Sequence, residues 1–296
     1  MKKKWVLGCS LALVACFIVA GGFCYLLIHR TPGEYFDANG VRLYYTVEGQ
    51  GEPVILVHGV AATADLNWRR PGVVRRLARH YRVVTFDLRG HGLSGRPAAP
   101  EQYGVQMAED IVRLMDHLGF QKAHVAGYSL GGFLVLKLLT LHPDRVQSAA
   151  ICAAGWKNPE DPSPIPNPYK APSPEVAPPQ QASMLLGMAS GSKSVFHRVR
   201  NWIGDQLIDK NAKKALKSKY RELGVSREAL KKIQVPAICL IGTRDGFLPL
   251  ARELHAEAPA MELIEIAGAT HFTLPFYGAF KSSLEEFFGH FPLSNR

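Results

Sequence analysis

Short apolar runs alternate with longer amphipathic stretches from residue 34 onward. The short runs are typical of strands buried on both faces of a sheet, and they lie at residues 54–57, 83–86, 124–126, 147–152, 236–241 and 261–266. Apolar side chains at helical spacing predict helices at residues 71–80, 106–118 and 130–141. This alternation predicts an α/β fold, with a mostly parallel central sheet that is covered by helices on both faces.

Two segments depart from this alternation. Residues 34–48 alternate polar and apolar side chains around Asn39-Gly40, which predicts an antiparallel hairpin. Residues 156–235 begin with a proline-dense part at 159–179, which we expect to run extended over the surface. The second part is predicted to be helical, with one apolar face made of Val195, Phe196, Val199, Trp202, Ile203 and Leu207.

The N-terminal apolar run predicts a membrane helix. Residues 5–28 carry no charge over 24 positions and follow three lysines, and such a run can span a hydrocarbon core of about 30 Å. The lysines favour an uncleaved signal anchor that leaves the rest of the chain on the extracytoplasmic side. An alternative is a lipoprotein lipidated at Cys16, because residues 13–16 resemble a bacterial lipobox. The apolar run continues twelve residues past Cys16, which favours the membrane helix.

Composition excludes some classes of partner and site. The chain has 296 residues, of which 47% are hydrophobic and 20% charged, as in a globular protein. Its net charge is +10, yet no helix-turn-helix, zinc-finger or ribonucleoprotein signature accompanies it, so nucleic-acid binding is not expected. The five cysteines have no metal-ligand spacing, and we expect Cys152 and Cys239 to be reduced and buried. The remaining cysteines, Cys9, Cys16 and Cys24, lie in the N-terminal run.

Basic residues concentrate in residues 193–232, where twelve Lys or Arg outnumber four Asp or Glu. The apolar face beside this charge is expected to pack on the rest of the protein, with the lysines in solvent. The alternative is that it lies on an anionic membrane surface or receives a lipid substrate.

One turn carries the clearest chemistry. Ser129 lies between Gly127 and Gly131, where a predicted strand passes directly into a predicted helix. A serine at such a bend has a strained backbone and projects its hydroxyl at the end of the sheet, and the flanking glycines avoid clashes. The free N–H groups of the following helix face any negative charge that develops there. Ser129 is therefore a candidate nucleophile.

Other candidate groups follow neighbouring strands. Val60 follows His58-Gly59 after the strand at 54–57, and its N–H can pair with that of Leu130 as an oxyanion hole; the alternative is a plain strand-ending turn. Asp245 and His271 follow the last two strands, on the side where Ser129 emerges. Asp87 and His91 lie in a glycine-broken turn, in which we expect structural hydrogen bonds rather than catalysis.

Three motifs together resemble the α/β-hydrolase superfamily: His58-Gly59, residues 87–94 and residues 127–132. The resemblance covers residues 34–291, apart from a poorly matched middle. It implies a catalytic triad in the family's chain order, with Ser129 as nucleophile, Asp245 as acid and His271 as base. Haloalkane dehalogenases and epoxide hydrolases of this superfamily carry aspartate at the nucleophile position, so Ser129 argues against both.

The resemblance also implies a domain division. A membrane anchor at residues 1–30 is followed by the first part of the hydrolase core at 31–155, a cap at 156–235 and the second part of the core at 236–296. No metal or organic cofactor is implied. The expected function is a membrane-anchored serine carboxylesterase or lipase-like enzyme that cleaves small hydrophobic esters. The same triad could instead act on a carbon–carbon bond, an amide or peptide, or in cofactor-free peroxidation, and a non-catalytic membrane-tethered binding protein is the alternative from another class.

Overall fold

A computed structural model of the protein describes residues 30–161, 163–170 and 207–293. The chain divides into two compact units, Met1–Gly33 and Glu34–Arg296. The predicted membrane helix at 5–28 lies outside the described residues, as does the apolar face predicted at 195–203. Within the described ranges, no helix has both the length and the apolar character needed to cross a bilayer.

The second unit is built on one eight-stranded sheet in the order β1-β2-β4-β3-β5-β6-β7-β8. The strands are β1 (Glu34–Asp37), β2 (Arg42–Glu48), β3 (Glu52–Val57), β4 (Tyr81–Phe86), β5 (Ala123–Tyr128), β6 (Val146–Cys152), β7 (Ala237–Gly242) and β8 (Glu262–Ile266). The β1–β2 and β2–β4 pairs are antiparallel, and the remaining pairs are parallel. The predicted α/β fold with a mostly parallel sheet is confirmed.

Helices cover both faces of this sheet. The described α-helices are α1 (Val73–Leu77), α2 (Val105–His117), α3 (Leu130–Leu141), α4 (Lys210–Lys219), α5 (Arg227–Lys231), α6 (Leu248–Glu257) and α7 (Gly278–Gly289). The buried side chains of α1 and α7 belong to one hydrophobic cluster, and those of α2, α3 and α6 belong to the other. Two cores therefore flank the sheet, as the continuous apolar strands predict.

Strand β3 shows how the sequence produces this arrangement. Val54 and Leu56 belong to the cluster on one face, while Ile55 and Val57 belong to the cluster on the other. All four side chains are fully buried, because successive strand residues point to opposite faces. At 25 cal/mol per Å² of apolar surface, such burial contributes about 1.5–3 kcal/mol per side chain.

The predicted hairpin is present, with a two-residue turn between β1 and β2. Ala38 N–H donates to Val41 O at 2.8 Å, and φ is 58° at Asn39 and 81° at Gly40. Positive φ at both central residues is characteristic of the type I′ turn that Asn-Gly favours. The Asp37 carboxylate also accepts the Gly40 N–H at 2.9 Å.

The helix predicted at residues 71–80 is shorter in the structure, spanning only Val73–Leu77. Gly72 has φ of 83°, a left-handed conformation that cannot continue a right-handed helix. A five-residue π-helix, Asp65–Arg69, precedes it. The described part of the proline-dense stretch has neither helix nor strand, as expected.

Cys152 and Cys239 are buried and free, in agreement with the expectation of reduced core thiols. In the β6–β7 register Cys239 lies opposite Ile151, one position away from Cys152, so the two side chains lie on opposite faces of the sheet. Burial raises the pKa of both thiols, which makes them poor nucleophiles.

The loop after β4 is held by buried polar groups. Asp87 is fully buried and accepts the N–H groups of Ala64 at 3.0 Å and Leu93 at 2.9 Å. The His91 Nδ1 lies 3.1 Å from the Arg89 carbonyl oxygen. These bonds agree with the structural roles expected for Asp87 and His91.

An ion pair anchors the same loop to helix α2. The Arg89 guanidinium donates to both Asp110 carboxylate oxygens, at 2.7 and 2.5 Å, and both side chains are buried. Arg89 also donates to the backbone oxygen and side-chain oxygen of Gln102 at 2.6 and 2.9 Å. This bidentate geometry satisfies the buried charges on both partners.

His91 should make stability depend on pH. Burial lowers the pKa of His91 to about 3, and repulsion from His58 adds to the lowering. An unfolded histidine has a pKa of about 6.5, so the unfolded chain binds more protons below that pH, and stability falls as the pH falls from about 6.5 towards 3. Between pH 7 and pH 5, this titration should lower the free energy of unfolding of the wild type by about 2 kcal/mol. We expect His91→Gln not to show this part of the decrease, because it lacks the titrating group.

Urea unfolding of the wild type and His91→Gln at pH 7 and pH 5 measures this difference. The control is His290→Gln, because His290 is exposed and its replacement should leave the pH dependence unchanged. An identical loss of stability in the wild type and His91→Gln would contradict the prediction.

Candidate active site

Strand β5 passes into helix α3 through a sharp turn at Ser129. The backbone of Ser129 has φ of 53° and ψ of −114°, a strained conformation for a residue other than glycine. A Cβ on Gly127 would lie 2.0 Å from the Gly131 carbonyl oxygen, and one on Gly131 would lie 2.2 Å from the Val57 carbonyl oxygen. Both positions therefore require glycine for the turn to close. The Ser129 N–H donates to Cys152 O at 2.8 Å.

The structure brings Ser129, His271 and Asp245 into one hydrogen-bonded chain. The Ser129 Oγ lies 3.0 Å from His271 Nε2, and His271 Nδ1 lies 2.8 Å from Asp245 Oδ2. Asp245 is fully buried, while Ser129 and His271 are 7% and 5% exposed. Since a carboxylate only accepts, Nδ1 carries a hydrogen and Nε2 is free to accept the hydroxyl proton.

Backbone contacts hold the acid and the histidine. The second oxygen of Asp245, Oδ1, accepts the Phe247 N–H at 2.9 Å. The Tyr128 hydroxyl donates to the His271 carbonyl oxygen at 2.7 Å, and burial raises the pKa of this phenol well above its usual value, so it remains a donor. Because Tyr128 adjoins Ser129, the turn that carries the hydroxyl also fixes the loop that carries the imidazole.

The loop after β3 lies against the Ser129 turn. A Cβ on Gly59 would lie 3.0 Å from Ser129 Cβ, so the backbone that leads into Val60 closely approaches the candidate nucleophile. The Gly59 N–H donates to Asn67 Oδ1 at 2.8 Å, which ties this loop to the π-helix. Leu130 follows Ser129 directly as the first residue of α3. Both predicted oxyanion donors therefore belong to backbone beside the Ser129 side chain.

Comparison with known proteins agrees with this architecture. A family model described as alpha/beta hydrolase fold matches residues 52–187, a segment that contains the β3 loop, the β4 loop and the Ser129 turn. The chain belongs to the α/β-hydrolase superfamily. Within that superfamily it is 37% identical over 122 residues to RutD of Azorhizobium caulinodans, which is named as a carbamate hydrolase; the match covers 41% of this chain and 44% of RutD.

Two further comparisons show how much of the chain is similar to known proteins. The chain is 34% identical over 122 residues to the 2-hydroxy-6-oxo-6-(2'-aminophenyl)hexa-2,4-dienoic acid hydrolase of Metapseudomonas resinovorans, and the match covers 40% of this chain and 41% of that enzyme. The match thus spans less than half the length of each curated relative. A variant of the meta-cleavage product hydrolase CumD of Pseudomonas fluorescens IP01 superposes with a TM-score of 0.67 at 23% identity, over 87% of this chain and 98% of CumD. At that identity, the likeness shows the fold alone.

Several residues of this α/β hydrolase that surround the site were not predicted from sequence. Tyr128 lies within the glycine-serine-glycine motif, so the sequence could have placed it beside the site. Nothing in the sequence indicates that its hydroxyl would bond to His271, which is 143 residues away. Asn67 lies eight residues after Gly59 and belongs to no recognisable motif, so its hydrogen bond with the Gly59 N–H could not be predicted. Tyr169 contacts the His271 ring at a centroid distance of 5.4 Å, and nothing in its proline-rich surroundings indicates this.

Proposed function

We propose that this α/β hydrolase is a serine hydrolase that cleaves carboxylic esters through an acyl-enzyme. The observation that carries the proposal is the buried chain from Ser129 Oγ to His271 Nε2 and from His271 Nδ1 to Asp245. A serine hydroxyl is a weak nucleophile until an adjacent base accepts its proton and a third group orients that base. These three side chains have both relationships at hydrogen-bond distances.

The proposed reaction uses each group in turn. His271 takes the Ser129 proton as Oγ attacks the carbonyl carbon, and Asp245 holds the imidazole in the required tautomer and stabilises its positive charge. The N–H groups of Val60 and Leu130 donate to the oxyanion of the tetrahedral intermediate. His271 then protonates the leaving alcohol, and a water molecule repeats the attack on the acyl-enzyme to release the acid.

A hydrophobic ester is the proposed substrate class, because apolar side chains lie beside the catalytic histidine. Tyr169 and Phe272, which are 49% and 63% exposed, approach the His271 ring with centroid distances of 5.4 and 6.4 Å. Small hydrophobic carboxylic esters are neutral and need no charged partner in such a site. Neither a metal nor an organic cofactor takes part in the proposed steps.

Hydrolysis of a carbon–carbon bond is the second candidate, and the name of one relative favours it. The Metapseudomonas resinovorans relative is named as a 2-hydroxy-6-oxo-6-(2'-aminophenyl)hexa-2,4-dienoic acid hydrolase. Such a reaction can use the same serine, histidine and aspartate, because it also passes through attack on a carbonyl carbon. The two candidates differ in whether the leaving group is an alcohol or a carbon acid.

Turnover of two substrate sets by the full-length chain in mild detergent separates these candidates. One set is a series of p-nitrophenyl esters from acetate to palmitate, followed by release of p-nitrophenolate. The other is 2-hydroxy-6-oxo-6-phenylhexa-2,4-dienoate, followed by loss of its absorbance. We expect ester hydrolysis at a higher kcat/KM. Turnover of the dienoate alone would replace the ester proposal with the second candidate.

The proposed location is a membrane, with residues 5–28 as a single N-terminal span and the hydrolase unit on the extracytoplasmic side. The support is the uncharged 24-residue run after three lysines, which is about 36 Å long as a helix. Lipid attachment at Cys16 is the alternative anchor. The basic cap residues could add contact with anionic lipid, since each lysine near such a surface contributes about 1 kcal/mol.

Fractionation of bacterial cells that express the full-length chain tests this anchor. We expect the protein to remain with membranes after alkaline extraction, and a chain that lacks residues 5–28 to leave them, because the apolar run supplies the binding energy. Cys16→Ala should stay in the membrane fraction. Loss of Cys16→Ala from the membranes would favour the lipid anchor instead, and extraction of the wild type at alkaline pH would contradict both.

A further inference from the structure

Four aromatic rings surround His271. The buried pair, Phe247 and Tyr128, lies at centroid distances of 5.3 and 5.7 Å from the imidazole, and the exposed pair, Tyr169 and Phe272, lies at 5.4 and 6.4 Å. The buried rings pack inside the protein and help to fix the orientation of the imidazole. The exposed rings present apolar surface next to the same imidazole. Packing inside the protein does not explain these two rings, and exposed apolar surface often marks a binding site.

The exposed pair is an ordered surface. Tyr169 and Phe272 stack with 4.5 Å between centroids and an interplanar angle of 10°. Tyr169 is 49% exposed and Phe272 is 63% exposed. The two rings stack on each other and each is still partly exposed, so the pair offers an apolar wall to a ligand, and aromatic contacts favour offset-stacked or edge-to-face partners.

The turn that carries Tyr169 is attached to the loop that carries Asp245. The Gly246 N–H donates to Pro168 O at 3.0 Å, and the Lys170 N–H donates to Asn167 O at 3.1 Å. A Cβ on Gly246 would lie 2.0 Å from the Asn167 carbonyl oxygen, so the two backbones are in close contact. Tyr169 therefore comes from the cap segment but is fixed relative to the acid and the histidine.

The mechanism of acyl transfer determines which part of a substrate contacts the Tyr169–Phe272 pair. The carbonyl carbon is bound at Ser129, with its oxygen at the Val60 and Leu130 N–H groups. The leaving group must lie at His271, because the imidazole passes its proton to the leaving oxygen. A ring that contacts the imidazole and remains exposed is thus placed to contact the group attached to that oxygen.

We propose that the Tyr169–Phe272 pair is the leaving-group subsite and selects esters whose alcohol part carries an aromatic group. This inference rests on the proposed serine-hydrolase function and goes beyond it by naming the preferred class of leaving group. A flat aromatic ring can stack on the pair and gain energy beyond the burial of its area, whereas a saturated ring of the same size gains only from burial. The expected preference is about three- to tenfold in kcat/KM.

Benzyl acetate and cyclohexylmethyl acetate test the subsite in the full-length chain. The two esters share the acyl group, the carbon skeleton and a primary alcohol as leaving group, and they differ in whether the ring is aromatic. We expect the wild type to favour benzyl acetate three- to tenfold. Tyr169→Leu and Phe272→Leu should bring the ratio close to one, while Tyr169→Phe should keep most of it because the stacked ring remains.

Two controls separate selection from a general loss of activity. Tyr35→Leu removes another exposed aromatic ring, on β1, which is 38% exposed, and it should leave the ratio and both rates unchanged. The ratio of acetate to butyrate hydrolysis, measured with benzyl esters, reports the acyl side and should be the same in wild type and Tyr169→Leu. A merely structural role for Tyr169 would lower the rates for all esters together and leave the benzyl preference intact.

Each remaining outcome is decisive. Equal kcat/KM for the two esters in the wild type, or an unchanged preference in both leucine variants, would overturn the subsite and leave the serine hydrolase standing. Turnover of p-nitrophenyl acetate without turnover of benzyl acetate would also overturn the subsite. Failure to hydrolyse any ester of either series would overturn the proposed function, and the subsite with it.

Discussion

Ser129→Ala should lower kcat for ester hydrolysis by about 10⁴- to 10⁶-fold and leave the fold intact. The hydroxyl that forms the proposed acyl-enzyme is lost, and only binding and oxyanion stabilisation would remain to accelerate direct attack by water. Alanine is smaller than serine, so it fits the turn, and the Ser129 backbone already has its unusual φ of 53° without help from a side-chain cap.

The measurement is turnover of p-nitrophenyl acetate by the wild type, Ser129→Ala and the control Ser218→Ala. Ser218 is exposed on α4, and its hydroxyl donates to Ala215 O, so its loss should change kcat less than twofold. Unfolding curves of the three proteins should coincide within about 0.5 kcal/mol. Retention of more than a tenth of the wild-type rate in Ser129→Ala would remove Ser129 from the proposed mechanism.

Arg89→Met should destabilise the protein by about 3–5 kcal/mol. The guanidinium is fully buried, and its removal leaves the buried Asp110 carboxylate with Arg113 as its remaining charged neighbour, at 2.9 Å. A buried charge that loses its main partner is costly because the apolar surroundings cannot replace the lost hydrogen bonds. The melting temperature should fall by roughly 6–20 °C.

Two further variants distinguish the buried charge from a general loss of packing. The double variant Arg89→Met with Asp110→Leu should recover most of the stability, because no unpaired charge remains in the core. Arg252→Met removes an exposed ion pair with Glu265, in which the arginine side chain is 57% exposed, and should cost less than about 1 kcal/mol. If Arg89→Met and Arg252→Met lowered stability equally, the buried pair would not be the cause.

The helices, strands and turns that were predicted correctly are those whose structure depends on residues close together in the sequence. Helix α3 spans Leu130–Leu141, the residues that its apolar run predicts, and β3 and β5 extend the predicted runs by only one or two residues at an end. Asn39-Gly40 forms the predicted turn because positive φ is a property of those two residues. The pattern missed the late start of α1 at Val73, since Gly72 has a positive φ that glycine permits but does not require.

Helix α7 was missed although a local signal exists. Its buried residues Phe280, Leu284 and Phe288 lie four positions apart, which places them on one helical face. Polar and aromatic neighbours obscure that spacing in the sequence. The π-helix Asp65–Arg69 has no such signal, because its form depends on contacts such as that of Asn67 with the Gly59 N–H.

The sequence by itself determined the order of strands and helices, the strained serine turn and the types of residue that follow each strand, because these depend on side-chain period and on glycine at defined positions. Only the tertiary structure decided which side chains meet. His271 reaches Ser129 across 142 residues and Asp245 across 26, and the Tyr169 ring contacts the His271 ring although Tyr169 belongs to the proline-dense segment. A hydrophobic pattern specifies which side of an element is buried, but distances between loops are set by how the whole sheet twists and packs.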